Sequence, residues 1–402
     1  MLASLLLPLA LLALPAAARS PLAVYEIDLD LAPEDRYAGL FDLPNTDFNA
    51  TVWRFFDEYF APHPHLTDLL YKMVDKRGPE VDEMQREIQG MADLSKLPVK
   101  FVQGIQTLYE LQTMMVPIVN FTGTPEQPFP AAADYPADWV PEGYEALLDM
   151  PFRGPGCTGI IAVDSTDGSV NHARNLDFSP VDIMGNLVYD ARFTRGGEEV
   201  FRSQMIAGYA MVITGAKFGD DGFAIERNTR YTDHKGGNRE MIENVLGGRE
   251  LNGWVLRKTL EEETTYESAV ERIATSNYAS TEYAIVSGVR KGTILAKDPE
   301  GVAHTQTLGQ PNFEERDDYI IITNFDYFWG DVREWFDPTG GNGAFHPRRI
   351  AAQKQLNATD VLTPEALFDT INNEGVFADT IFQAVINVEK GTWDVSQPEL
   401  PV

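Results

Sequence analysis

A chain of 402 residues that carries a single cysteine, Cys157, can form no disulfide within itself, so its fold has to be held by a buried core alone. That count weighs more because the first residues, MLASLLLPLALLALPAAARS, form a short apolar run ending in small residues. This is the pattern of a cleaved secretory signal over residues 1–19, with the cut near Ala18 to Ser20. The run is short for the roughly 20 residues of a membrane span. Exported chains usually pair their cysteines, so one left over is either a small buried hydrophobe or a reactive thiol. Sequons at Asn49, Asn120 and Asn357 fit passage through a glycosylating compartment. Sixty-one acidic residues against thirty-two basic ones give a net charge of −29, which argues against a nucleic-acid partner. The pI near 4.5 brings the chain towards neutrality at lysosome-like pH, so a lysosomal or secreted location is expected.

Periodicity divides the chain in two. A strand over 22–31 (LAVYEIDLDL) precedes amphipathic helices in DFNATVWRFFDEYF, HLTDLLYKMVDK and EVDEMQREIQGMADL, separated by Pro and His-Pro breakers. The apolar stretch 97–120 reads as the core helix of this helical part (20–120), its other reading being a lipid-facing surface with peripheral membrane contact. Residues 121–156 are rich in Pro, Gly and acidic residues and end in FRGPGC, the composition of a linker or processing segment. From Cys157 to residue 402 the pattern turns strand-rich. CTGIIAV, a DSTDGS turn and VNHARNLDF predict a β-hairpin. Strands are expected in LVYDARFT, SQMIAGYAMVITG and FAIERNTRY, then helices in NREMIENVLGG, WVLRKTLEE and YESAVERIATS. Strands in EYAIVSGV, TILAKD, HTQTL and YIIITNFDY follow, then helices in RRIAAQKQLNA and PEALFDTINNE and a terminal strand TIFQAVINVE. Blocks of strands alternating with blocks of helices indicate an α+β fold.

A cysteine at the first residue of a strand, after a Pro-Gly turn, gains a use if the chain is cut before it. The liberated α-amine titrates near 7.7 to 8.0 in model compounds, so it can take the thiol proton while sulfur attacks a carbonyl. No histidine is then required, and a structural role is expected for His172. The hairpin returns His172, Arg174, Asn175 and Asp177 beside the first strand. Arg174 can stabilise a thiolate or bind an acyl oxygen, and Asp177 can orient the amine. The other reading of these two is a surface ion pair of little worth.

These residues carry a resemblance. CTGIIAVDSTDGSVNHARNLDF, with its C-T-x-I-x-A-x-D run followed by R-N-[LM]-D, resembles the segment that opens the catalytic subunit in the acid ceramidase and N-acylethanolamine acid amidase family, relatives of the choloylglycine hydrolases. FAIERN, ITNFDYFW and HPRRIAA are similar to later family segments in the same order, as EIDLDLAPEDRY and REIQGMADL are to earlier ones. The resemblance implies a four-layer αββα N-terminal-nucleophile hydrolase, cut autocatalytically between Gly156 and Cys157, whose two fragments stay associated and which uses no metal or organic cofactor. Carried over residue by residue, Cys157 is the nucleophile, Arg174 and Asp177 support it, and Asn324 supplies an oxyanion-hole amide. Glu226 joins the network around the processing site, and Arg348 an internal one.

Against the family pattern, the interval from Cys157 to Arg174 is one residue longer, the segment of about 35 residues before Cys157 looks inserted, and Gly156 replaces the usual preceding residue. Glycine there permits the distorted peptide that attack by the neighbouring thiol requires. The implied substrate is a long-chain lipid amide. Leu176 and the absence of further cysteines lean towards an N-acylethanolamine over a ceramide. Bile-salt-like amides are a further alternative, and a non-catalytic lipid-binding protein on the same fold is the alternative of another class.

Overall fold

The computed structural model describes residues 20–111, 156–232, 238–310, 316–329, 348–373, 375–376 and 379–398. The signal segment, Asn120 and residues 121–155 of the linker lie outside the described residues, as do 112–120 of the apolar stretch.

The amino-terminal part holds β1 (Val24–Asp28), α1 (Phe48–Tyr59), α2 (Pro64–Arg77), α3 (Asp82–Ser95) and α4 (Val99–Leu111). Proline at the start of α2 needs no amide hydrogen there, and α2 stops at Gly78, whose φ of 82° suits glycine. On α4, Phe101, Val102, Ile105 and Tyr109 are buried in the main core, so its described turns form a core helix.

After the break come β2 (Gly156–Val163), β3 (Val170–Asp177), the short α5 (Val181–Met184), β4 (Val188–Arg195), β5 (Glu198–Ile206), β6 (Thr214–Lys217) and β7 (Phe223–Thr229). Then follow α6 (Asn238–Leu246), α7 (Asn252–Glu262), α8 (Tyr266–Thr275), β8 (Glu282–Gly288), β9 (Lys291–Asp298), β10 (Gly301–Thr307), β11 (Tyr319–Ile322), α9 (Arg348–Ala358), α10 (Pro364–Ile371), β12 (Thr380–Asn387) and β13 (Thr392–Ser396). Side-chain oxygens of Thr265 and Thr363 cap α8 and α10, each accepting from a backbone amide three residues on at 3.2 Å.

Among the described residues the strands form two sheets, of order β1-β4-β5-β6-β7-β8-β9-β10 and β11-β2-β3-β12-β13. Their pairings are antiparallel apart from β1 on β4, which runs parallel and lays an amino-terminal strand into the larger sheet. The period of two sorts the side chains. Ala284, Val286 and Leu295 of the larger sheet pack towards the helices of the main core, among them Leu260 of α7 and Ile273 of α8. Tyr283, Ile285 and Ile294 face the smaller sheet and meet its Ile161, Val170 and Ile320. On the far side of the smaller sheet, Ile160, Ala162 and Ala173 meet Ala352 and Leu356 of α9 and Leu367 and Ile371 of α10. The molecule is thus a mixed α+β fold with amino-terminal helices and two sheets.

Two expectations are corrected. The segment 203–215 is not one strand: β5 ends at Ile206, and a buried loop runs to β6. Gly208 turns at φ 97°, and side chains meet the loop backbone: Gln106 donates to Gly208 O at 2.7 Å and accepts from Ala210 N at 3.0 Å, while Arg257 donates to Ala210 O at 2.9 Å. The apolar run reads the same whether strand or buried loop, because its partners lie far away in sequence. At the carboxyl end, β12 is followed by β13, an edge strand whose mostly half-exposed, mixed composition gives little periodic signal.

Candidate active site

Strand geometry alone places most of the site. β2 and β3 pair without a register shift, with Gly156 opposite Asp177, Cys157 opposite Leu176, Gly159 opposite Arg174 and Ile161 opposite His172. The unbroken ladder leaves any extra residue to the Asp164–Ser169 turn, where Gly168 has φ 76° and Asp164 N donates to Ser169 O at 2.9 Å. Directly opposed residues share a face, so Cys157, Arg174 and His172 all point at the larger sheet, while Asp177 points at α9. Arg174 and Asp177, three apart, therefore act on opposite sides of their strand, and both are buried, which removes the surface-pair reading.

Cys157 is fully buried. Its sulfur lies 3.6 Å from Arg174 Nη2 and 3.8 Å from the Tyr109 hydroxyl. Its backbone N donates to Asn324 Oδ1 at 3.0 Å, and its carbonyl accepts from Arg348 Nη1 at 3.0 Å. Arg348, at the first turn of α9, also donates to Asp177 Oδ2 at 2.7 Å and to Asn324 Oδ1 at 2.6 Å. Asp177 Oδ1 accepts from Thr380 Oγ1 at 2.5 Å. Arg174 Nη1 donates to Arg227 O at 3.1 Å and lies 3.2 Å from Glu226 Oε1, and its guanidinium carbon sits 5.4 Å from the centre of the Phe382 ring.

Glu226 comes from β7 on the facing sheet. Its Oε2 is 2.9 Å from His172 Nε2, whose Nδ1 is 3.0 Å from Ser287 Oγ. The carboxylate packs against Gly159, where an added Cβ would lie 2.8 Å from Oε1. Burial pushes the Cys157 thiol up to about 11; Arg174 opposes this, and the Asp177 and Glu226 carboxylates reinforce it. The Cys157 thiol is therefore protonated at neutral pH, and a base beside it would be needed to ionise it.

The six residues expected from sequence, Cys157, Arg174, Asp177, Glu226, Asn324 and Arg348, form one connected network. Asn324 differs in detail. Two donors, Cys157 N and Arg348 Nη2, fix its oxygen towards the cysteine, and Nδ2 donates to Thr229 O at 2.8 Å. In this structure its oxygen holds the cysteine's own nitrogen. His172 is a buried partner of Glu226, in keeping with a structural role. Tyr109 was not singled out by sequence reasoning: it sits 48 residues before Cys157 in an ordinary amphipathic helix, and no spacing signal marks it. Of the sequons, Asn49 is exposed in the first turn of α1, and Asn357 is half-buried, with its Oδ1 accepting from Tyr319 at 2.8 Å.

No family model matches the chain. It is 26% identical to the N-acylethanolamine-hydrolyzing acid amidase of Caenorhabditis elegans over 61% of this chain and 58% of that relative. To the enzyme of the same name from Rattus norvegicus it is 30% identical, over 60% of this chain and 63% of the relative. The acid ceramidase of Heterocephalus glaber is 23% identical over 95% of this chain and 88% of that protein. A solved C. elegans N-acylethanolamine-hydrolyzing acid amidase ortholog superposes with a TM-score of 0.48 at 24% identity, covering 57% of this chain and 92% of that one.

Proposed function

The chain belongs to the acid ceramidase and N-acylethanolamine acid amidase family, and from that membership we propose that it is a cysteine amidohydrolase activated by its own cleavage between Gly156 and Cys157. The observation that carries the reading is that one network holds both the thiol and the backbone nitrogen of Cys157: Arg174 at the sulfur, Asn324 at the nitrogen. A hydrolase whose nucleophile and base are the same residue needs that arrangement. The face-to-face sheets between outer helix layers support an αββα N-terminal-nucleophile architecture.

In the precursor, Cys157 sulfur attacks the Gly156 carbonyl, the peptide nitrogen leaves with the thiol proton, and water hydrolyses the resulting thioester to a Gly156 carboxylate. The freed α-amine stays on Asn324. It then takes the thiol proton as sulfur attacks a lipid amide, and returns a proton to the departing amine. Water releases the fatty acid and restores the thiol, with the Asn324 amide serving the oxyanion; such a donor is worth roughly 3 kcal/mol of barrier, so Asn324→Ala should cost on the order of a hundredfold in rate. No cofactor enters these steps. The fragments 20–156 and 157–402 stay joined through β1 on β4 and through buried pairs such as Glu87 with Arg257 and Glu110 with Arg227. Passage through the secretory pathway to an acidic compartment fits the charge balance.

For substrate, N-acylethanolamines are the first reading, resting on the R-N-L-D form of the motif with Leu176 and on Cys157 being the chain's single cysteine. Ceramide is the second, favoured by the near full-length match to acid ceramidase. Intact mass and amino-terminal sequencing before and after incubation at pH 4.5, with Cys157→Ala as control, test the cleavage. A fragment starting at Cys157 and missing from the control is expected; an uncut yet active chain would end the self-processing mechanism. Release of fatty acid from each lipid amide at pH 4.5 and 7 then separates the substrates, and release from neither favours a lipid-binding protein.

A further inference from the structure

The nucleophile's surroundings include a group from the other half of the chain. Tyr109, on α4, is fully buried with its hydroxyl 3.8 Å from Cys157 sulfur, and its ring stands edge-on to Phe178 with centroids 5.8 Å apart. The opposite restraint is ionic. The Arg227 guanidinium lies 4.3 Å from the centre of the Tyr109 ring, and Arg227 is itself held by the neighbouring Glu110 through contacts of 2.9 and 2.8 Å and by Glu282 at 2.8 Å. Glu110 also accepts from Asn252 N at 3.1 Å and Ser280 Oγ at 2.5 Å. Consecutive residues of α4 are thus built into the larger sheet, one as the anchor and one as the group at the sulfur. A tyrosine used only for packing needs neither its hydroxyl at the sulfur nor a cation on its ring.

We propose that Tyr109 is a thiolate-stabilising residue, a phenol contributed by the amino-terminal half that, together with Arg174, brackets the Cys157 sulfur and favours its ionised form. The inference rests on reading Cys157 as the nucleophile. Burial holds the phenol well above its ordinary range, so it keeps its proton and donates when the sulfur carries charge. Among the described residues, the charged or titratable groups facing Cys157 are Arg174 and Asp177 from β3, Glu226 from β7, Arg348 from α9 and Tyr109 from α4. Two carboxylates oppose ionisation there, and a neutral donor offsets them without adding a third cation to a buried site. It follows that the catalytic unit is incomplete without the piece that cleavage separates from it.

The test uses the full uncut chain and needs neither cleavage nor turnover, so it stands apart from the success of the proposed function. Because Cys157 is the only cysteine, intact mass after iodoacetamide treatment reads its modification directly. Below the thiol pKa the alkylation rate follows the thiolate fraction. Tyr109→Phe keeps the ring, its edge contact and its cation, and removes only the hydroxyl. Between about pH 7 and 9 the variant should alkylate about three- to tenfold more slowly than the parent, with the same dependence on pH. A purely structural role predicts the reverse sign, because loosened packing exposes a buried thiol and speeds the reaction. Equal or faster alkylation in Tyr109→Phe overturns the proposal. Glu110→Gln, which weakens the Arg227 clamp and leaves the phenol in place, should slow alkylation by less; a larger slowing than Tyr109→Phe would also count against it.

Discussion

Gly159→Ala tests the packing of the two sheets at the site. The glycine lies within β2, opposite Arg174, and its backbone is one that alanine adopts without strain. The new Cβ would stand 2.8 Å from Glu226 Oε1, 3.0 Å from Oε2 and 3.1 Å from Cδ. Carbon and oxygen cannot pack so closely, so the carboxylate must retreat by roughly half an ångström. It has little freedom to do so, since Oε2 is 2.9 Å from His172, itself pinned 3.0 Å from Ser287, and Oε1 is 3.2 Å from Arg174. Stretching a buried charge-assisted hydrogen bond forfeits about 1.5 to 3 kcal/mol, and overpacking a core adds about 1 to 3. Reduced freedom of the unfolded chain returns about 0.4 to 1. A net loss of about 2 to 5 kcal/mol is expected. Urea unfolding followed by tryptophan fluorescence, in a Cys157→Ala background that keeps the chain uncut, measures it. Gly301→Ala, where an added Cβ meets nothing within 4 Å, is the control and should lie within about 0.5 kcal/mol of its parent. A Gly159→Ala loss below about 1 kcal/mol would show that Glu226 is not confined as described, and the account of Arg174 that depends on it would fall too.

Other outcomes follow from the same network and from its pH linkage. Arg348→Met leaves Asp177 buried without its cation and strips Cys157 O and Asn324 Oδ1 of a donor, so a loss of about 3 to 5 kcal/mol in urea unfolding is expected; Arg348→Lys should recover less than half, because a single ammonium cannot span those three acceptors. Burial pushes Asp190 up to about 6, opposed by its Trp393 hydrogen bond. Since that lies above the unfolded value, the native chain holds this proton longer: the stabilisation is complete below about pH 4 and is lost as pH rises through about 6. Asp190→Asn should therefore leave stability at pH 4 nearly unchanged and raise it at pH 7 by about 2 kcal/mol, and an equal effect at both pH values would refute the assignment.

How much of this was readable in advance depends on the distance over which each feature is decided. The β2–β3 hairpin was legible because its strands are neighbours in sequence, its turn carries its own Asp and Gly signals, and apolar residues set its register. The helices of the amino-terminal part were legible from their amphipathic period to within a few residues. The loop after β5 was not, since what keeps it out of a strand is Gln106 and Arg257, brought in from two distant helices.

The site divides in the same way. By itself the sequence determined that one thiol stands at the head of a strand and that a hairpin returns Arg174 and Asp177 beside it, because pairing across a short turn is a local rule. That Asn324, Glu226 and Arg348 belong with them was implied by the family resemblance of their segments alone, and the structure brings all three to Cys157 or Arg174. Only the tertiary structure decided that Asp177 works from the opposite face through Arg348, that Asn324 turns its oxygen to the cysteine's nitrogen, and that Tyr109 reaches the sulfur from the other half of the chain. The reason is physical: side chains 48 to 191 residues apart meet only once the sheets and helices have packed, and local patterning carries no record of which buried donor will find which acceptor.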